Sequence, residues 1–146
     1  IAEIKPDVVI GPDHKLYPES HPDHLRVGEA VSKAYFMCSN VNMMKSVGAT
    51  QIAKPTVLAY YFTGKPNRFV KITKKDFEKT KAAYACFVSQ CPPPDNGKSL
   101  MLYMRLKVRL NGLRSFHIRA DAFRVMNNMH IHCCGEAEET AIRRPL

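Results

Sequence analysis

The sequence predicts a mostly β domain of the α+β class, and three observations carry that prediction. From Val57 to Ile72 the chain reads VLAYYFTGKPNRFVKI, two apolar and β-branched runs joined by Gly64-Lys65-Pro66-Asn67, which is the pattern of a hairpin. From Leu102 to Leu110 it reads LYMRLKVRL, where Leu102, Met104, Leu106, Val108 and Leu110 alternate strictly with Tyr103, Arg105, Lys107 and Arg109. On a strand this alternation gives one apolar face and one cationic face. A chain of 146 residues is the usual size of one domain with a single core.

Residues 1–26 hold four of the ten prolines, which argues against continuous helix and predicts an extended N-terminal arm with one short strand at Val8 to Ile10. Residues 27–40 read either as a short helix with Val27, Val31, Ala34 and Cys38 on one face or as a strand from Ala34 to Cys38. After the hairpin, Thr73-Lys74-Lys75-Asp76 forms a capping box. Phe77, Lys81, Tyr84 and Val88 follow at helical spacing and predict a helix over 74–88. Three successive prolines and Asn96-Gly97 break the chain at 91–98, before the alternating strand. Beyond it Leu113, Phe116, Ala120, Phe123 and Met126 fit a helix, while Phe116, Ile118, Ala120 and Ala122 fit a strand. The content of Ala, Arg and Met favours the helix. The organisation expected is an arm over 1–26, a domain over 27–129 and a charged, fraying tail over 130–146.

Charge is distributed unevenly. Residues 1–50 carry a net −1, residues 51–129 a net +11 and residues 130–146 a net −1. Such a concentrated positive field attracts polyanions, phosphate backbones first, then acidic membrane surfaces and acidic proteins. No apolar run is long enough to span a bilayer, and no secretory leader is recognisable. The chain starts at Ile1 rather than Met, which is compatible with processing from a precursor. The five cysteines, Cys38, Cys86, Cys91, Cys133 and Cys134, are irregularly spaced and read as free thiols in a reducing compartment.

Three constellations offer chemistry. Tyr60, Tyr61, Lys65, Arg68 and Lys71 on the hairpin, with Tyr103, Arg105, Lys107 and Arg109 on the alternating strand, supply π-faces for unstacked bases and cations for a phosphate backbone. That pattern predicts single-stranded RNA binding without sequence preference. The plainer alternative keeps the tyrosines in the core and uses the cations to protect an edge strand. The second constellation is HIHCC, where His130, His132, Cys133 and Cys134, with His14, His21 and His24, have the donor chemistry of a structural zinc site but no ligand spacing for one. Buried thiols and surface histidines explain it as well, so neither metal nor cofactor is expected. The third is a Cys and His pair with Asp23 or Asp121 to orient the histidine. No nucleophile motif supports it, and a non-enzymatic protein is expected.

LAYYFTGKPNRFVKI resembles the central hairpin of the coronavirus non-structural protein nine family, the single-stranded RNA-binding subunit of the nidovirus replicase. EAVSKAYFMCSN, PPPDNGKSLMLYMRL and LNGLRSFHIRADAFRV resemble further family segments in the same order, over residues 29–126. The resemblance implies a small OB-like β-barrel with a C-terminal helix, excised from a polyprotein and working beside the viral polymerase at replication complexes in the host cytoplasm. It implies RNA contacts at Lys65, Arg68, Arg105, Arg109 and Arg114. A homodimer helix would map to Leu113, Phe116, Ala120 and Phe123, and Ile1 would be a nucleotide acceptor by analogy. The reading from a different class is a scaffold subunit of a larger assembly that binds acidic partners, with a structural zinc at HIHCC.

Overall fold

The computed structural model describes residues 1–17 and 19–132, with the backbone alone at His132. Four strands, β1 (Val8–Pro12), β2 (Val57–Tyr61), β3 (Arg68–Lys71) and β4 (Ala120–Met126), form one mixed sheet in the order β1-β2-β4-β3. The five helices are α1 (Pro22–Met37), α2 (Val41–Ser46), α3 (Lys74–Ala85), α4 (Lys98–Arg114) and α5 (Asn128–His132). The sheet is open, which overturns the expectation of a small OB-like barrel. The chain divides into two compact units, one of Ile1–Arg68 with the residues from Phe123 onward, the other of Phe69–Ala122.

In the first unit β1 and β2 run parallel, Val8 opposite Val57 through Pro12 opposite Tyr61, and α1 and α2 lie between them in sequence. Parallel neighbours need such a crossover because a tight turn cannot reverse the chain twice. The expected extended arm is therefore a β-α unit in its own right. Prolines mislead here: Pro22 sits at the first helical position, where its missing N–H would have no intrahelical acceptor and its fixed φ favours the helix. Of residues 27–40, those to Met37 continue this helix, with Gly28 and Tyr35 buried, and Asn40 caps the start of α2.

Strand β2 is buried at Leu58, Ala59 and Tyr60, as expected of an inner strand covered on both faces. Leu58 and Tyr60 join Tyr35 of α1 to form the core, and Val9, Val31, Met126 and Ile131 pack around them. The expected hairpin does not form, because β4 enters beside β2 with Ala59 opposite Val125. Asn67 shows why the Gly64–Asn67 turn does not pair its own flanks. Its side chain accepts from the Val125 amide at 2.7 Å and donates to the Val125 carbonyl at 3.0 Å, while its own amide donates to the Phe123 carbonyl.

In the second unit α3 begins as expected, with Thr73 and Asp76 closing a reciprocal capping box. The alternating segment Leu102–Leu110 is not a strand but the body of α4. Met101, Met104, Val108 and Asn111 recur at helical spacing and form the covered side, whereas Leu102, Leu106 and Leu110 are exposed. The segment is rich in Leu, Met, Arg and Lys, all good helix formers, with one β-branched residue, so intrinsic propensity outweighed a coincidental period of two. The helix expected over 113–126 is corrected in turn. The chain doubles back at Gly112, where a side-chain carbon would fall 2.6 Å from the His117 carbonyl oxygen, and Phe116 takes a left-handed φ of 58°. Residues 120–126 then alternate buried and half-buried as β4.

Candidate functional site

Strands β1 and β2 end together, at Pro12 and Tyr61, and the loops that leave them carry most of the first unit's polar chemistry. In α/β sheets this carboxyl edge is where backbone spreads apart and ligands find room. Asp13 follows β1 directly: its amide donates to the Tyr61 carbonyl at 3.0 Å, tying the loop to β2. Its carboxylate accepts from the Arg124 guanidinium at 2.7 Å and from the Lys15 amide at 3.0 Å. Arg124 also lies over the Tyr60 ring at 4.9 Å, and the Tyr60 hydroxyl meets Ser32 of α1 at 2.6 Å. His14 turns the edge of its ring to Tyr60 at 5.7 Å, and its Nδ1 is sealed without a hydrogen-bond partner. Burial lowers its pKa and so favours the neutral ring.

Five residues after His14, Glu19 organises the entry to α1. Its carboxylate accepts from the His21 amide at 2.8 Å and bonds His24 Nδ1 at 2.8 Å. The His24 bond, and then that amide, hold the Glu19 carboxyl below its usual range. His21 caps the helix, its Nδ1 accepting from the Asp23 amide at 3.3 Å, and its ring stacks on His24 with centroids 4.6 Å apart. The Phe62 ring, just beyond β2, lies 6.1 Å from that of His24. The His24 side chain is 39% exposed and Glu19 is 16% exposed. His24 is therefore oriented through Nδ1, and its Nε2 has no partner among the described residues. A carboxylate on one ring nitrogen fixes the tautomer and makes the other nitrogen the better base or ligand. Among the described residues no three His, Cys, Asp or Glu side chains gather as a metal-ligand set. The same loop walls a cleft of about 290 Å³ lined by Asp13, Lys15, Leu16, Tyr17, Gly64, Lys65 and Arg124.

No family model matches the chain. The diacetylchitobiose deacetylase of Thermococcus kodakarensis is 30% identical over 138 residues, which cover 92% of this chain and 50% of that protein. The N,N'-diacetylchitobiose deacetylase from Pyrococcus horikoshii, solved with its inhibitor MPG, superposes with a TM-score of 0.80 at 26% identity, over 94% of this chain and 52% of that one. The chain is a homologue of diacetylchitobiose deacetylases. It spans about half the length of both relatives.

This homology overturns the nidovirus resemblance and what followed from it: a non-enzymatic protein, single-stranded RNA and a polymerase complex as partners, and residence at replication complexes in a host cytoplasm. The scaffold alternative gains no support either. The hairpin resemblance was local apolar spacing around Tyr60 and Tyr61, and the two strands it joined are not neighbours. Tyr60 is 2% exposed and cannot stack on a base, and Tyr61 packs edge-on to Phe62. Lys65 and Arg68 belong to the first unit, whereas Lys71, Tyr103, Arg105, Lys107, Arg109 and Arg114 belong to the second. On α4, Tyr103 and Lys107 pair with each other, the ammonium 5.9 Å from the ring centre, and Arg114 lies over Phe69 at 5.5 Å. Leu113 and Phe116 are exposed while Ala120 is buried in β4, so with Phe123 they share no helical face. Ile1 keeps no acceptor role once the replicase analogy is gone.

Of the HIHCC group, Cys133 and Cys134 lie outside the described residues, and His130 Nδ1 accepts from the Asn127 amide at 3.4 Å. The residues that sequence reasoning undervalued are Glu19, His21 and His24. The signal that could have found them is a short β-run, a loop rich in Asp and His, and Pro22 opening a helix, which together describe the carboxyl end of a strand.

Proposed function

We propose that this chain builds part of a hydrolase that removes acetyl groups from N-acetylated amino sugars of the chitobiose type. The observation that carries the proposal is the Glu19–His24 pair, 2.8 Å apart at the carboxyl edge of β1 and β2, in a chain homologous to diacetylchitobiose deacetylases. Deacetylation adds water to an amide carbonyl and breaks the C–N bond, giving acetate and a free amine. The reaction needs a group that takes a proton from water and a group that returns one to the leaving nitrogen. His24 suits such a task, because Glu19 holds its Nδ1 and Nε2 has no partner among the described residues. Glu19 and the neighbouring His21 and Phe62 rings position it.

A cleft of about 290 Å³ at the same edge, lined by Asp13, Lys15, Leu16, Tyr17, Gly64, Lys65 and Arg124 and not by Glu19 or His24, has room for a sugar ring. Its size sits near the lower limit of small-molecule sites, roughly 300 Å³, and its rim mixes the Tyr17 ring with the hydrogen-bonding groups of Lys15 and Lys65. The test is acetate release from N,N'-diacetylchitobiose by the full-length protein, with and without His24→Ala. Activity is expected from the wild type, and the variant is expected to lose about 100- to 10,000-fold in kcat while remaining folded. An inactive wild type refutes the function, and an unimpaired variant refutes the role of His24.

A further inference from the structure

The second unit holds a cleft that the deacetylase reading does not use. Its volume is about 160 Å³, and it is lined by Lys74, Phe77, Glu78, Arg105, Arg109 and Arg119. Four of these six residues are cations, drawn from the start of α3, from α4 and from the residue before β4. None of the four forms a hydrogen bond or ion pair through its side chain with any described residue. The one carboxylate, Glu78, is engaged by Lys81 at 2.7 Å. Phe77, 6% exposed, supplies an apolar floor.

This grouping opposes the fold's own preferences. Arg105 and Arg109 stand one turn apart on α4, where like charges destabilise a helix. Lys74 and Lys75 occupy the first turn of α3, the positive end of its dipole, where cations are disfavoured. Cations kept for solubility spread over a surface, but these converge on one concavity. A doubly charged anion would relieve each of these repulsions at once, and guanidinium groups match the oxygens of phosphate in geometry as well as charge.

We propose that this cleft binds a tetrahedral oxyanion, either inorganic phosphate or the phosphoryl group of a small phosphorylated sugar. The full-length protein is titrated with sodium phosphate, followed by calorimetric heat and by the thermal midpoint. A saturable response is expected, with sulfate competing and sodium chloride at matched ionic strength giving none. Arg105→Gln combined with Arg109→Gln is expected to weaken phosphate binding at least about tenfold, while Glu78→Gln, which removes the only lining carboxylate, tightens it. The two variants predict opposite signs, so a folding defect in one does not hide the answer. A phosphorylated hexosamine that binds more tightly than phosphate assigns the cleft to a sugar ligand, and equal affinities assign it to the free ion. A response that chloride reproduces, a double variant that binds like the wild type, or weaker binding by Glu78→Gln overturns the proposal.

Discussion

Arg124 and Asp13, 111 residues apart in the chain, meet at 2.7 Å inside the molecule, where their side chains are 5% and 3% exposed. The pair ties β4 to the loop after β1, at the edge that holds the proposed site. Removing one partner leaves a buried charge uncompensated, which costs about 3–5 kcal/mol. Arg124→Met and Asp13→Leu are each expected to lower unfolding stability by that amount. The double variant is expected to lose less than the two together, because no charge is then stranded. Urea unfolding of the four proteins gives the coupling directly.

Gly28→Ala separates packing from propensity. Alanine in a helix interior is favoured over glycine by about 1 kcal/mol. At Gly28, however, the added carbon would lie 2.5 Å from the Pro12 carbonyl oxygen and 2.8 Å from the His14 side chain. Backbone cannot yield as a flexible side chain does, so a net loss of roughly 2 kcal/mol is expected, measured by denaturant midpoint.

Glu19 gives a prediction on the acid side. Its carboxyl is held below the ordinary glutamate value of 4.5, first by His24 and then by the His21 amide. A depressed carboxylate contributes stability that is complete above the unfolded value and is lost as pH falls through the lowered one. The stability difference between wild type and Glu19→Gln is expected to be constant above that value and to shrink on acidification. In the deacetylase assay Glu19→Gln is expected to lower kcat less than His24→Ala does, since it disorients the imidazole without removing it.

Tyr35 gives one on the alkaline side. Fully buried in the core, with its hydroxyl donating to the Pro55 carbonyl at 3.3 Å, it is pushed by burial from 10 to about 12. A raised phenol contributes stability that is complete below the unfolded pKa and is lost as pH rises through the folded one. Roughly 3 kcal/mol is therefore expected to disappear between pH 10 and 12. Ultraviolet titration of the phenolate in Tyr35→Phe and wild type checks it, and the variant should lack one late-titrating tyrosine.

The sequence was most legible where structure is local. Thr73 and Asp76 announce α3 because a capping box closes within one helical turn. Val8 to Ile10 and Val57 to Tyr61 read as strands because their β-branched and aromatic residues fit a half-buried ladder. Leucine and methionine at 102–110 satisfy a period of two and a helical period together, and α4 exposes the very leucines that the strand reading placed in the core. The candidate site was illegible for a related reason. As sequence, His21 and His24 group only as remote donors for a zinc site at HIHCC, because Pro22 reads as a helix breaker and not as a helix start.

By itself the sequence determined the start of α3, the strand-forming runs at Val8 and Val57 and the clustering of positive charge in the middle of the chain, since each depends on residues within a turn or two of one another. Only the tertiary structure decided that β4 enters between β2 and β3, that Arg124 closes on Asp13, and that the carboxyl ends of β1 and β2 lie side by side. Joining segments so far apart costs loop-closure entropy, and that cost is offset by burying Tyr35, Leu58 and Tyr60 together, a gain that exists only once the segments have met.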